Sequence, residues 1–226
     1  MPIKSVPSCE PNIFCAVLRR AKGRPLSIRQ ASCSRDRTLA TWQQGPHCVS
    51  SSGAIPRRVG VRRMVQSSGF GSGCHWCTEA VFQSLRGVMD VKQGFIASSP
   101  PHDSFSEAVA VTWDPALITF DDLIAVHLAT HSSASHHKMR GKYRSAIYVH
   151  DAADGEAARR IIDMIAQQTD SDIVTEVFSF EAFKPSDTRF KDYYVRNRNG
   201  PFCEAYIEPK LALLRQRFAG LWLEDV

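Results

Sequence analysis

Gly69-Phe-Gly-Ser-Gly-Cys74-His-Trp-Cys77-Thr-Glu-Ala-Val-Phe82 is the stretch on which the reading of the chain turns. Its first five residues read as a glycine-rich turn. Ala80, Val81 and Leu85 then recur at helical spacing up to Gly87, so a helix is predicted over 74–86. A helix that opens at or near Cys74 points its free backbone N–H groups and the positive end of its dipole at the sulfur, which favours thiolate over thiol. The glycines let a ligand approach the backbone closely. Cys74 therefore reads as a nucleophile by placement; the alternative is a small buried hydrophobe, where unpaired cysteines most often sit.

Downstream, strand-like segments follow at 88–97 and 108–113, the second ending in the turn dipeptide Asp114-Pro115. Thr119 and Asp122 predict a capping box for a helix to about Thr130, with Leu123, Ile124, Val126, His127 and Leu128 on or near its buried side. A strand at 143–150, a helix capped by Asp151 and running to about Gln168, a strand at 173–178 and helical stretches near 187–195 and 206–219 complete the body. Strands alternating with helices predict an α/β (α+β) fold, a mixed sheet packed with helices.

Upstream, residues 1–63 are rich in Ser, Arg, Pro and Gly without a sustained apolar period, so they cannot bury enough surface to offset chain entropy and are expected to be disordered. They carry 12 Lys and Arg against Glu10 and Asp36, whereas residues 64–226 carry 16 against 21 acids. The basic excess thus belongs to the extension, and the mildly acidic body argues against nucleic acid or an anionic membrane as its partner. The extension reads either as an organelle presequence or as an upstream extension of a reading frame that starts at Met64; the lack of an amphipathic helix tilts the choice to the second. No run of about 18 apolar residues occurs, which excludes a spanning helix. Of the seven cysteines, only Cys74, Cys77 and Cys203 lie in the body, two of them as CxxC. That usage fits an intracellular protein whose thiols do chemistry or bind metal, with the cytoplasm as the expected location and an organelle as the alternative if 1–63 is a presequence.

Residues 73–82 resemble the signature of the A-type peptide methionine sulfoxide reductases, in which Gly-Cys-Phe-Trp opens the first helix. The resemblance continues in collinear order through AspProAlaLeuIleThrPheAspAspLeu (114–123), TyrArgSerAlaIleTyr (143–148), IleValThrGluVal (173–177), PheLysPro (183–185), AspTyrTyr (192–194), ProPheCys (201–203) and ProLysLeu (209–211), and leaves 1–63 unmatched. It implies a ferredoxin-like α/β roll and a domain spanning 64–226. It further implies reduction of the S epimer of methionine sulfoxide, in proteins and also as the free amino acid. Cys74 would attack the electrophilic sulfur while an acid protonates the departing oxygen. The resulting Cys74 sulfenic acid would condense with a second cysteine to a disulfide, which thioredoxin or another dithiol reduces. No bound cofactor or metal is required, and a monomer acting on oxidised methionine in proteins is expected.

The family slot for the substrate methyl group is supplied by Trp76 and residue 75, here His rather than Phe. A neutral His75 keeps a flat face with less apolar area, whereas a protonated one would depress the thiol pKa further. Only ten residues separate Ile96 from Glu107, so the loop that carries the family's Tyr and Glu is shortened. Glu107 aligns either with that loop's Tyr-x-Glu segment, which makes it the proton donor, or with the later Glu that begins the strand. Tyr143 aligns with the family tyrosine that donates to the substrate oxygen. The family's nearby Asp is missing from HisSerSerAlaSerHisHisLysMetArgGlyLys (131–142), where His131, His136 and His137 are candidate polar substitutes. Cys77 and Cys203 compete as resolving cysteine. C-terminal resolution in the family tilts the choice to Cys203, and both can act in sequence. Glu79 matches a family Glu and reads as structural.

Three rival readings remain at this level. A thioredoxin-like CxxC oxidoreductase would follow a different element order and lack the aromatic slot. A zinc site would use Cys74, Cys77 and two of His102, His131, His136 and His137, although these histidines have no regular partner spacing. A degenerate reductase fold would bind oxidised segments without turning them over.

Overall fold

The glycine-rich lead-in to Cys74 is a strand, contrary to the turn its composition predicts. In the computed structural model, which describes residues 65–136 and 138–224, strands β1 (Gln66–Ser72), β2 (Val88–Ala97), β3 (Ser106–Trp113), β4 (Ser145–Val149), β5 (Glu176–Ser179) and β6 (Ala182–Pro185) form one sheet in the order β5-β4-β1-β3-β2-β6. β1 lies inside the sheet, antiparallel to both β3 and β4. Its glycines answer crowding, not flexibility. A Cβ on Gly69 would stand 2.4 Å from Ile96 Cδ1 and 3.0 Å from Tyr148 Cβ, and one on Gly71 would stand 2.9 Å from the Arg144 carbonyl oxygen. Only Gly73, at φ +93°, is a turn residue.

Among the described residues, five α-helices pack with this sheet: α1 (His75–Gln83), α2 (Phe120–Thr130), α3 (Ala152–Thr169), the single turn α4 (Tyr193–Arg196) and α5 (Glu208–Arg217). The capping box at α2 forms as its spacing requires, with Asp122 N–H donating to Thr119 Oγ1 at 3.1 Å and Thr119 N–H to Asp122 Oδ2 at 3.2 Å. Asp151 caps α3, whose Ala158, Ile161, Ile162 and Ile165 make one buried stripe. That helix is the crossover joining β4 to β5, the one parallel pair among the described strands.

Inward residues of β1, β3 and β4, among them Phe70, Val109, Val111, Trp113 and Ile147, share the main core with the helices. A smaller cluster of Ile96, Ala108, Ala146 and Tyr148, flanked by Phe178, Phe180 and Phe183, covers the opposite face. The sheet is therefore apolar on both sides, which burial of its antiparallel centre demands.

Several boundaries differ from the pattern. The first helix stops at Gln83, and Gly87 at φ +97° turns the chain into β2. The helix expected near 187–195 is a 3₁₀ turn at Thr188–Phe190 followed by α4, separated by Asp192 at φ +53°. A π-helical turn, Cys203–Ile207, leads into α5, with Cys203, Ile207, Leu211 and Leu214 buried along it. The short β6 pairs with β2 at the sheet edge; its four residues and terminal proline carry no strand signal by themselves. Residues 1–63, with their expected disorder, lie outside the described residues.

Candidate active site

Gly73 delivers the chain from β1 to Cys74, which is the N-cap of α1 in extended backbone conformation, so the helix proper starts at His75. Thr78 locks this entry by donating from both N–H and Oγ1 to the Cys74 carbonyl, at 3.3 and 3.0 Å. Apart from its two chain neighbours, no described residue comes within 4 Å of the position a Gly73 Cβ would take, so the space beside this entry is open. Cys74 is half-buried in a cleft of about 580 Å³, shared with Trp76, Glu107, His131, Arg140, Tyr143, Phe202 and Lys210.

The Cys74 thiol is lowered from 9.0 to about 7. Hydrogen bonding from the Cys77 thiol is the largest cause, opposed by burial and by the charge of Glu107. The N–H groups of Cys77 and Trp76 also lower it, as dipoles facing the sulfur rather than as closed capping bonds. Cys77 moves the opposite way: donating to Cys74, and buried, it is held far toward the neutral thiol. The pair is thus poised with one ionisable sulfur and one proton-bearing sulfur.

Glu107, on β3 opposite Phe95, accepts from the His75 N–H at 3.4 Å and lies 3.6 Å from His75 Nδ1; its side chain is 14% exposed. Of the two alignments open to Glu107, both leave it beside the nucleophile in this fold. His75 is buried, its Nδ1 3.3 Å from the Gly94 carbonyl and its ring edge-on to Phe95 at 5.5 Å. Burial, ahead of the opposing pull of Glu107, lowers its pKa. The neutral imidazole is therefore the form that packs here, and the protonated alternative fails on desolvation.

Trp76 stacks face to face on Tyr193, with centroids 4.0 Å apart and planes 3° from parallel, and meets Phe202 edge-on at 5.4 Å. These partners come from α4 and the segment before the π-helical turn, far along the chain, and the spacing around Trp76 gave no sign of them. Tyr143 lines the same cleft from the turn preceding β4, two residues before the strand it was expected to open. Lys210 was also missed. Its ammonium donates to the Thr130 carbonyl oxygen, and it faces both Cys74 and Cys77 electrostatically.

Cys203 is wholly enclosed in the main core together with Cys77, to which it couples electrostatically, and it does not line the cleft. Cys74, Cys77 and Cys203 all carry free thiols. Glu79 is buried and accepts from Gln93 Nε2 at 2.8 Å and from the Tyr193 N–H at 3.4 Å, tying α1 to β2 and α4. The histidines of the zinc reading disperse. His131 bonds Ser145 Oγ through Nε2 at 2.7 Å, His136 pairs with Asp172 at 3.3 Å, and His102 packs on Phe178, while His137 lies outside the described residues. Among the described residues no three His, Cys, Asp or Glu side chains converge as a metal site.

A low-pKa thiol at a helix cap, a carboxyl beside it and an aromatic wall form the layout of a cysteine-based catalyst. The family model described as peptide methionine sulfoxide reductase matches residues 66–220, and the chain belongs to that family. The chain is 36% identical over 167 residues to the peptide methionine sulfoxide reductase MsrA of Chromobacterium violaceum, covering 67% of this chain and 95% of that protein. It is 30% identical over 162 residues to the MsrA of Sulfolobus acidocaldarius, covering 66% and 92%. Among solved structures, reduced Mxr1 from Saccharomyces cerevisiae superposes with a TM-score of 0.55 at 21% identity, covering 63% of this chain and 91% of that one. Methionine sulfoxide reductase A of Corynebacterium diphtheriae does so at 0.54 and 23%, covering 62% and 78%. These two share the fold, a mixed sheet packed with helices.

Proposed function

We propose that this protein reduces methionine (S)-sulfoxide to methionine, in proteins and as the free amino acid, with Cys74 as nucleophile. The observation that carries the reading is the Cys74 thiol, lowered to about 7, opening into one cleft with Glu107, Tyr143 and Trp76. The Cys74 thiolate attacks the sulfoxide sulfur. Glu107 gives a proton to the sulfoxide oxygen, and the Tyr143 hydroxyl donates a hydrogen bond to it. The oxygen passes to Cys74, methionine leaves reduced by two electrons, and Cys74 is left as sulfenic acid. The Trp76 indole and Phe202 ring supply the apolar wall against which the methyl group packs, beside the smaller His75 face.

Cys77 condenses with the sulfenic acid, releasing water and forming a disulfide one helical turn long. The two thiols act on each other's titration in opposite directions, which supports this assignment. Cys203, coupled to Cys77, is the next thiol in line and passes the disulfide on when α5 and the turn before it loosen. Thioredoxin or another dithiol restores the thiols. The reading places a monomer inside the cell, in the cytoplasm, or in an organelle if residues 1–63 direct it there.

The test is reduction of both sulfoxide epimers, free and in a peptide, by the wild type and by Cys74→Ser, Cys77→Ser and Cys203→Ser. Loss of single-turnover methionine formation only in Cys74→Ser, with multiple turnover lost in a resolver variant, is the expected pattern. Reduction by Cys74→Ser at the wild-type rate would overturn the assignment.

A further inference from the structure

The loop from His131 to Lys142 walls the cleft beside Tyr143, and it contains Lys138, Arg140 and Lys142 but no carboxylate. This runs against the charge of the body, in which acids outnumber Lys and Arg. Arg140 reaches into the cleft, and its hydrogen bonds among the described residues all end on carbonyl oxygens: Ser132 at 2.9 Å, Ser135 at 3.1 Å and Tyr143 at 3.5 Å. Those bonds fix the guanidinium in place without neutralising it. Lys142 is exposed and holds its ammonium 5.0 Å from the Tyr143 ring centroid. Lys210, deeper in the cleft, likewise donates to a carbonyl. Among the described residues, Glu107 is the carboxylate whose charge acts on Lys142. That carboxylate is held deeper in the cleft by the His75 N–H, and Asp172 pairs with His136 at 3.3 Å.

We infer that the cleft mouth selects methionine sulfoxide flanked by acidic residues, the charges of Arg140 and Lys142 receiving an Asp or Glu side chain of the oxidised protein. This rests on the sulfoxide-reductase reading and specifies its substrate. A guanidinium already oriented by backbone carbonyls loses little freedom when a carboxylate docks, so the pairing adds to affinity more than a mobile surface pair does. The same field draws acidic segments toward the thiolate and turns basic ones away.

The experiment compares single-turnover kcat/KM of the pre-reduced protein, with no donor present, on three peptides that differ only in having Glu, Ala or Lys on either side of methionine (S)-sulfoxide. The Glu peptide is expected to exceed the Lys peptide by about tenfold at low ionic strength, with the ratio falling toward one at high salt. Arg140→Gln and Lys142→Gln should each lower that ratio about threefold, while Arg140→Lys keeps most of it. The ratio is internal to each variant, so a general loss of activity does not mimic the effect. Should the Arg140 variants fail to fold, Lys142→Gln and the salt dependence of the wild type still decide the matter. Equal rates on the three peptides, or a charge preference unmoved by Arg140→Gln and Lys142→Gln, would overturn the inference and leave the reductase reading standing. Failure to reduce even the Ala peptide would remove the reductase reading itself.

Discussion

Glu107, at the start of β3, accepts a hydrogen bond from the backbone N–H of His75 at 3.4 Å, so the acid is moored to the residue directly after Cys74. Because that donor is main chain, the carboxyl keeps its place whatever side chain occupies position 75. In its ionised form it works against the nucleophile, raising the Cys74 pKa; in its protonated form it serves the leaving oxygen.

Glu107→Gln separates those two roles. Loss of the proton donor is expected to lower kcat by about a hundredfold or more. Loss of the negative charge shifts the Cys74 titration to lower pH, so the variant is a poorer enzyme with a more ionised thiol. Iodoacetamide alkylation of Cys74 across pH, alongside steady-state rates, measures both; an unshifted or raised alkylation pKa would contradict the geometry.

Cys77→Ala removes the largest cause of the lowered Cys74 pKa. In the wild type, alkylation of Cys74 should rise with pH through about 7 and level off above it, because the thiolate is the reactive form. In the variant the midpoint moves upward toward the ordinary thiol value of 9.0. The ultraviolet thiolate signal of a Cys203→Ser background reports the change without interference from the third thiol.

Lys210 faces both sulfurs of the CxxC pair, and its charge lowers the Cys77 pKa. Lys210→Met should therefore slow closure of the disulfide by about tenfold, more than it slows the first reduction of substrate. A longer-lived Cys74 sulfenic acid, trapped with dimedone and counted by mass spectrometry, is the signature. Lys210→Arg should restore most of the rate.

Gly69→Ala tests the placement of β1. The added methyl would meet Ile96 Cδ1 at 2.4 Å and Tyr148 Cβ at 3.0 Å, and overpacking of this kind costs about 1–3 kcal/mol. Denaturant unfolding should show that loss with an unchanged slope. Gly73→Ala meets no neighbour within 4 Å, but its φ of +93° makes it costly for a different reason, backbone strain at the doorway to Cys74.

Local chemistry made some elements legible from the chain alone. The reciprocal Thr119–Asp122 cap, the buried stripe of α3 and the placement of Cys74 at a helix opening depend on residues within one or two turns of each other, so spacing and residue type suffice to determine them. The CxxC chemistry follows from the same short-range logic. Elsewhere the deciding contacts join distant segments. β1 hides among glycines and serines because its neighbours, not its own side chains, supply the packing. The indole of Trp76 gains its stacking partner from Tyr193, and the ammonium that faces the thiol pair arrives on α5. Glu107 aligns in two ways as sequence but has one position in space, beside His75, because the β2–β3 register places it there. Short-range periodicity carries no record of such pairings; only closing the chain into the sheet settles which groups share the cleft.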